Sequence, residues 1–206
     1  GDILIGALID CGIDVDILNQ ALASLKVEDI CINGIADERR GVTGTYATVS
    51  VPETNERRNI RDFIRIIQNS DLSDEVIATA TTVFESLGKA EATVHRKSVE
   101  NTHLHELGDL DTLVDVVGGV VGLSHLGITS LYCSPLPTGS GFVRSEHGLL
   151  PVPSPATAVL MEMAGVPVVP PPQNLVDAGE MVTPTGAAIL TTLSTFRQPS
   201  LVLENI

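Results

Sequence analysis

The apolar run at residues 113–123 constrains the fold most. It is interrupted by Asp115 and contains three glycines. A helix that crosses a bilayer needs about 20 apolar residues, so this run is too short to span a membrane. We predict instead a helix over residues 111–126 that ends at Gly127. Gly118 and Gly122 are four residues apart, share a face of this helix, and would let another backbone approach it closely.

The remaining segments alternate between helix and strand signals. Asp14 and Ser73 are predicted to cap helices, and the pairs Ser154-Pro155 and Thr183-Pro184 predict two more helix starts. Further helices are expected near residues 3–8 and 60–67, and strands at 45–51, 130–134 and 166–172. This pattern predicts a mixed α/β (α+β) fold, with helices packed on a small mixed sheet in one domain over residues 1–206.

Composition limits the classes of partner. Aromatic residues make up 3% of the chain and Trp is absent, so the core must be aliphatic and stacking platforms for nucleobases are scarce. The formal net charge of -14 repels phosphate backbones and attracts cations, which argues against a nucleic-acid partner. Three widely spaced cysteines give neither a disulfide framework nor a thiolate zinc site. We therefore expect a cytoplasmic protein with neither a nucleic-acid nor a membrane partner.

Residues 102–115 hold the densest group of metal-competent side chains, namely His103, His105, Glu106, Asp109, Asp111 and Asp115. On a strand, His103 and His105 would share one face about 7 Å apart. On a helix, Asp111 and Asp115 would also share a face. Imidazole combined with carboxylate suits Ni, Zn, Mn or Fe better than Mg or Ca alone. The segment therefore predicts a site for a divalent transition metal.

A structural explanation competes with this prediction. Thr112 and Asp115 have the spacing of a capping box, in which the acids would merely start the helix. Among the other histidines, His147 lies in a Pro/Gly-rich stretch and is a candidate for function. His95 and His125 are predicted to be structural. His95 is followed by the basic residues Arg96 and Lys97, and His125 ends a helix, where the dipole favours a protonated imidazole.

Two segments are candidate anion sites. Residues 138–141 (TGSG) resemble a small anion-binding loop but lack the spacing and lysine of a Walker A motif. Thr183, Thr185 and Gly186 are stronger candidates, because a helix that begins there directs free N–H groups and two hydroxyls at a phosphate or carboxylate. A plain N-cap explains Thr183 equally well.

Six segments carry a family resemblance in their order along the chain: residues 1–8 (GDILIGAL), 103–108 (HLHELG), 111–118 (DTLVDVVG), 134–137 (SPLP), 147–153 (HGLLPVP) and 180–188 (EMVTPTGAA). They resemble the N-terminal part of the nickel insertion proteins, which complete the nickel-pincer cofactor of lactate racemase. The resemblance implies a nickel-inserting lyase of the chelatase type. It would insert nickel into pyridinium-3,5-bisthiocarboxylic acid mononucleotide, forming Ni–C and Ni–S bonds in a CTP-dependent reaction.

Together, the cluster and the resemblance assign roles within one expected polar pocket. The metal residues are His103, His105 and His147. The catalytic residues are Glu106, Asp111, Asp115 and Glu180, and the acids are expected to help bind or deliver nickel. The residues expected to hold the cofactor precursor and its phosphate are Gly139, Gly141, Thr183, Thr185 and Gly186.

The resemblance also implies features outside the sequence. The family has a C-terminal domain that binds CTP with Mn or Mg, and the expected partners are that domain, the mononucleotide and lactate racemase. We expect the sequence to be truncated at both ends, so that residues 1–206 alone can be inactive. The family's histidine-rich run is replaced by residues 55–59 (NERRN). Two alternatives stay open: a nickel-binding chaperone without catalysis, and an assembly domain whose Gly118 and Gly122 face packs against the C-terminal half.

Overall fold

The computed structural model describes residues 1–53, 58–102, 104, 106–173, 178–200 and 202. The α-helices are α1 (Asp2–Asp10), α2 (Val15–Ala23), α3 (Ile60–Gln68), α4 (Asp74–His95), α5 (Leu110–His125), α6 (Pro155–Ala164) and α7 (Pro184–Leu193). The strands are β1 (Cys31–Arg39), β2 (Val42–Ser50), β3 (Leu131–Tyr132), β4 (Leu136–Pro137), β5 (Phe142–Ser145), β6 (Gly148–Pro151), β7 (Val168–Val169) and β8 (Ser194–Thr195). The predicted α+β fold is confirmed.

Within the described ranges, the strands form four two-stranded sheets that together mix parallel and antiparallel pairing. β1 pairs with β2 and β5 pairs with β6 as antiparallel hairpins. β3 pairs with β8 and β4 pairs with β7 in parallel, over two residues each. The long hairpin β1–β2 packs on α1 and α2, so one of its faces joins the core.

Two predicted strands are much shorter than expected. The buried strand predicted at residues 130–134 is reduced to β3, in which Tyr132 is 39% exposed. The strand predicted at residues 166–172 is reduced to β7, whose two residues are exposed. β3 and β7 each pair with a partner strand of only two residues. The length of each strand is therefore set by its pairing partner and not by the apolar character of its own segment.

Helix α5 lies at the centre of the core. It packs against α1, α2, α4 and α7, and Leu113, Val114, Val116 and Val117 are fully buried. A helix that is apolar on nearly every side is typically buried in this way. A Cβ added at Gly122 would lie 2.7 Å from Leu8 Cδ1, so glycine lets α1 pack closely.

The glycine face of α5 is therefore covered from within the chain. At Gly118, an added Cβ would lie 3.0 Å from Ile32 Cδ1 of β1 and 3.3 Å from Ile5 Cδ1 of α1. The assembly alternative, in which this face packs against a C-terminal half, is wrong because α1 and β1 already occupy the face. Within the described residues, no helix combines the length and the apolar character that a membrane crossing requires.

The helix starts follow the predicted capping residues. Asp14 Oδ1 accepts a hydrogen bond from Asp16 N (2.9 Å), and Ser73 Oγ accepts one from Val76 N (3.4 Å). Each bond satisfies an amide that the first turn of a helix leaves without an intrahelical partner. Helix α6 begins at Pro155, as predicted, and ends at Gly165 in the left-handed conformation.

Candidate functional site

The start of α7 faces the start of α5 across a cavity of about 510 Å³, which we call the acidic cavity. Residues from β2 and the first residues of the chain complete its wall. Its polar lining includes Asp2, Asp111, Asp115, Thr183 and Thr185. The structure thus brings together two of the predicted catalytic acids and two of the predicted phosphate-binding threonines.

Asp115 is the most perturbed acid in this cavity. Its side chain is 15% exposed, Oδ2 lies 3.5 Å from the Gly1 amino nitrogen, and Oδ1 is buried with no hydrogen-bond partner among the described residues. The pKa of Asp115 is raised to about 6 from an ordinary value of 3.8. Burial is the largest cause, Asp111 and Asp2 add to the shift, and the Gly1 amino group opposes it. A buried acid with a shifted pKa in a cavity is typical of functional sites.

The capping explanation fails for Asp115. Helix α5 begins at Leu110 after the N-cap Asp109, so Thr112 already lies inside the helix and cannot be its N-cap. Asp111 lies in the first turn, where the helix dipole stabilises an acidic side chain. Its Oδ1 also accepts a hydrogen bond from Thr112 N (2.7 Å). Asp111 therefore has a structural role at the helix start, whereas Asp115 lies one turn further along and has none there.

The start of α7 combines a cap with a cavity wall. Thr183 Oγ1 accepts a hydrogen bond from Gly186 N (3.2 Å), which is the N-cap bond that the sequence left as an alternative. Thr183 and Gly186 are thus explained by helix capping. Thr185 is 7% exposed and lines the cavity, so the first turn still offers its amide and hydroxyl to a ligand.

His147 and Glu180 lie in a neighbouring cavity of about 120 Å³, which we call the histidine cavity. It shares Leu107 and Pro184 with the acidic cavity. The single polar pocket that the sequence predicts is therefore, in its described part, two adjoining cavities. Leu107 and Pro184, which line both cavities, are apolar and form the wall that the cavities have in common.

The histidine cavity also contains His95, which sequence reasoning assigned to structure. His95 Nε2 lies 3.3 Å from Glu91 Oε2, and the imidazole rings of His95 and His147 have centroids 5.1 Å apart. The signal that the sequence carried was Glu91, four residues before His95 on α4 and hence on the same helix face. In the part of the chain that the structure describes, no group of three or more His, Cys, Asp or Glu side chains could hold a metal ion.

The predicted loop glycines stand apart from both cavities. A Cβ at Gly139 would overlap the carbonyl oxygen of Gly179 and would lie 2.7 Å from Val152 Cγ1. Gly141 O accepts a hydrogen bond from Val152 N (3.1 Å). Neither glycine is a lining residue of the acidic or the histidine cavity. The predictions for His103, His105 and the Glu106 side chain fall outside the described residues.

Comparison with known proteins identifies the family. The model of the family described as "Nickel insertion protein" matches residues 1–206. The chain belongs to the nickel insertion protein family. A relative from Roseiflexus castenholzii, whose name includes the words nickel insertion protein, is 43% identical over 203 residues, which cover 98% of this chain and 50% of that protein.

Two further relatives have more specific names. Both are called "Pyridinium-3,5-bisthiocarboxylic acid mononucleotide nickel insertion protein". The one from Desulfitobacterium hafniense is 41% identical over 191 residues, covering 93% of this chain and 46% of its own length. The one from Nocardioides is 41% identical over 208 residues, covering 100% of this chain and 51% of its own length. The chain thus spans about half the length of the curated relatives it matches. No solved structure matches it.

Proposed function

We propose that this chain forms the part of a nickel-inserting enzyme that binds pyridinium-3,5-bisthiocarboxylic acid mononucleotide and presents it to nickel. One observation carries the proposal: Asp111, Asp115, Thr183 and Thr185 line a single cavity at the start of α7. Its volume of about 510 Å³ lies within the range of about 300–1,000 Å³ that is usual for small-molecule sites.

The charges of the cavity match those of the proposed substrate. The pyridinium ring is cationic and pairs with the carboxylates of Asp111 and Asp115. The phosphate is anionic and fits the start of α7, where the helix dipole and the Thr185 amide and hydroxyl favour negative charge. The Gly186 amide donates to Thr183, so the Thr185 groups carry most of the phosphate contact.

Nickel enters this proposal as a substrate. The imidazoles of His103, His105 and His147, with Glu106 and Glu180, are proposed to bind it before insertion, because imidazole with carboxylate suits Ni²⁺. The rest of the protein is proposed to bind CTP with Mn or Mg, and the nickel-bearing product would pass to lactate racemase. The reaction is proposed to be cytoplasmic and of the lyase type.

The mononucleotide site is tested by titration calorimetry with wild type and Thr185→Val, which keeps the side-chain shape and removes the hydroxyl. A hydrogen bond to a charged group contributes about 1.5–3 kcal/mol, so affinity should fall by about tenfold to a hundredfold. Thr195→Val, at the exposed residue of β8, is the matched control and should bind as wild type does. Equal affinity of wild type and Thr185→Val would refute the phosphate position.

The nickel site is tested separately by titration with Ni²⁺. A His103→Ala, His105→Ala double variant should bind nickel more weakly than wild type, and unchanged affinity would count against the histidine assignment. The alternative of a nickel-binding chaperone predicts nickel binding without affinity for the mononucleotide. The acidic cavity favours the enzyme over the chaperone, because a chaperone does not need a second, nucleotide-sized site.

A further inference from the structure

One wall of the acidic cavity carries no charged side chain. It consists of residues 46–49 of β2, which lie beside the starts of α5 and α7. Among the described residues β2 pairs with β1 alone, so its other edge carries backbone N–H and C=O groups that the hairpin does not pair. Such groups can bind a ligand, provided that they point into the cavity.

The contacts of Asn19 on α2 show which residues of the hairpin direct their backbone groups outward. Asn19 Oδ1 accepts a hydrogen bond from Ile32 N (2.8 Å), and Asn19 Nδ2 donates one to Ile32 O (2.9 Å). Ile32 lies opposite Val49 in the hairpin. Opposite residues of an antiparallel pair exchange both backbone bonds or neither. Because Ile32 bonds Asn19 with both groups, Val49 directs its own N–H and C=O away from β1.

A contact of Asp10 on α1 supports the same alternation. Asp10 Oδ2 accepts a hydrogen bond from Thr45 N (3.0 Å), and Thr45 is four residues before Val49, so both residues direct their backbone groups to the same edge. At Thr45 helix α1 covers this edge, since a Cβ added at Gly6 would lie 2.7 Å from Thr45 O. Val49 lies further along β2 and lines the acidic cavity. In the described part of the chain, it forms no backbone hydrogen bond outside the hairpin.

The N–H and C=O of Val49 place a donor next to an acceptor without net charge. In the proposed substrate the ring is cationic and the phosphate is anionic. The ribose between them is neutral and carries two neighbouring hydroxyls, each of which donates and accepts hydrogen bonds. The uncharged wall of β2 therefore matches the ribose, while the carboxylates of α5 match the ring and the start of α7 matches the phosphate.

We infer that the backbone N–H and C=O of Val49 bind the ribose hydroxyls of the mononucleotide, so that the free edge of β2 selects a ribonucleotide. The inference rests on the proposed function for the identity of the ligand. A backbone group that lacks a partner away from bulk water costs free energy, so a ligand that supplies both partners binds more tightly than one that supplies neither. The contact also holds the ring beside Asp111 and Asp115.

Amide hydrogen exchange of the ¹⁵N-labelled chain tests this contact without any substitution. The Val49 amide should exchange rapidly in the free chain, whereas the Thr48 amide, which bonds β1, should exchange slowly. Saturation with the mononucleotide should slow exchange at Val49 several-fold. The Thr43 amide, on the same edge but outside the acidic cavity, should be unaffected. Unchanged exchange at Val49 in the saturated chain would overturn the inference.

Changes in the ligand and in the edge provide a second test by calorimetry. The 2′,3′-dideoxy form of the mononucleotide should bind wild type about fivefold to a hundredfold more weakly, which corresponds to the loss of two neutral hydrogen bonds. Val49→Pro removes the outward N–H without breaking a hairpin bond, because an edge strand tolerates proline at such a position. In this variant the loss should be smaller than in wild type.

Thr43→Pro makes the same change on the same edge outside the cavity, and it should show the full wild-type loss. An equal loss in Val49→Pro and wild type would overturn the contact. If Val49→Pro does not fold, the exchange measurement on wild type decides.

Titration of wild type with both forms separates this inference from the proposed function. If the ribose and dideoxy forms bind equally well, the inference fails and the mononucleotide site stands. If neither form binds, the proposed function fails and the inference fails with it. Thr185→Val should weaken binding of both forms by the same factor, because its effect is on the phosphate.

Discussion

Replacing Asp115 with asparagine should stabilise the chain at neutral pH. The pKa of Asp115 in the folded chain is raised to about 6 from 3.8, chiefly by burial. One pH unit corresponds to about 1.4 kcal/mol, so keeping this carboxylate ionised in the fold costs about 3 kcal/mol at pH 7. The side chain is 15% exposed, so solvent screening removes little of this cost. Asparagine has nearly the same shape and carries no charge.

The pH dependence has a definite sign. Between about pH 4 and 6 the folded state holds more protons on Asp115 than the unfolded state does. The contribution of Asp115 to the free energy of unfolding is therefore fully present below about pH 4 and is lost as the pH rises through about 6. The difference in stability between Asp115→Asn and wild type should grow over this window and level off near pH 7.

Urea denaturation of both proteins at intervals from pH 4 to pH 8 measures this difference. Glu38→Gln is the control, since Glu38 is exposed on β1, away from the acidic cavity, and its replacement should change stability by less than about 0.5 kcal/mol. Two results would refute the inference that Asp115 is buried and ionised: a lower stability of Asp115→Asn than of wild type at pH 7, or a difference in stability that does not vary with pH. Gain of stability with loss of mononucleotide binding would mark Asp115 as a residue retained for function.

Three smaller perturbations test local contacts of the fold. Gly139→Ala should be less stable than Gly141→Ala by about 1–3 kcal/mol. Both glycines have positive φ, but an added methyl group overlaps neighbouring atoms only at Gly139. Equal melting temperatures of the two variants would contradict this. Asn19→Ala should lose about 1–3 kcal/mol in urea titrations, because its side chain bonds both backbone groups of Ile32 at 2.8 and 2.9 Å; a loss below about 0.5 kcal/mol would contradict it. Thr183→Ala should cost about 0.5–2 kcal/mol in thermal unfolding, while Thr183→Ser keeps the cap; equal losses in the two variants would contradict the capping role.

Local signals predicted the helices well. Asp14, Ser73 and Thr183 cap helices because a short polar side chain bonds amides two or three residues away, within the same stretch of sequence. The apolar run at residues 113–123 predicted α5 from local sequence as well. A run of this length with so few polar residues is not compatible with a helix exposed to solvent. The strands β3 and β7 were predicted too long, because their length depends on partner strands far away in the sequence.

The site was predicted only in part. Asp111, Asp115 and Thr185 line one cavity, and the roles predicted for them there stay predictions. The separation of His147 from them could not be predicted, because it depends on two apolar residues, distant in sequence, that line both cavities. His95 was predicted to be structural because basic residues follow it in the sequence. The prediction overlooked Glu91, which lies one helical turn before His95 on the same face of α4.

An X-ray anomalous difference map at the nickel edge, from crystals of the chain grown with Ni²⁺ and the mononucleotide, tests the two-cavity arrangement most directly. We expect a nickel peak beside His147, and mononucleotide density in the acidic cavity with the phosphate at Thr185. A nickel peak away from both cavities, with the acidic cavity empty of mononucleotide, would contradict it.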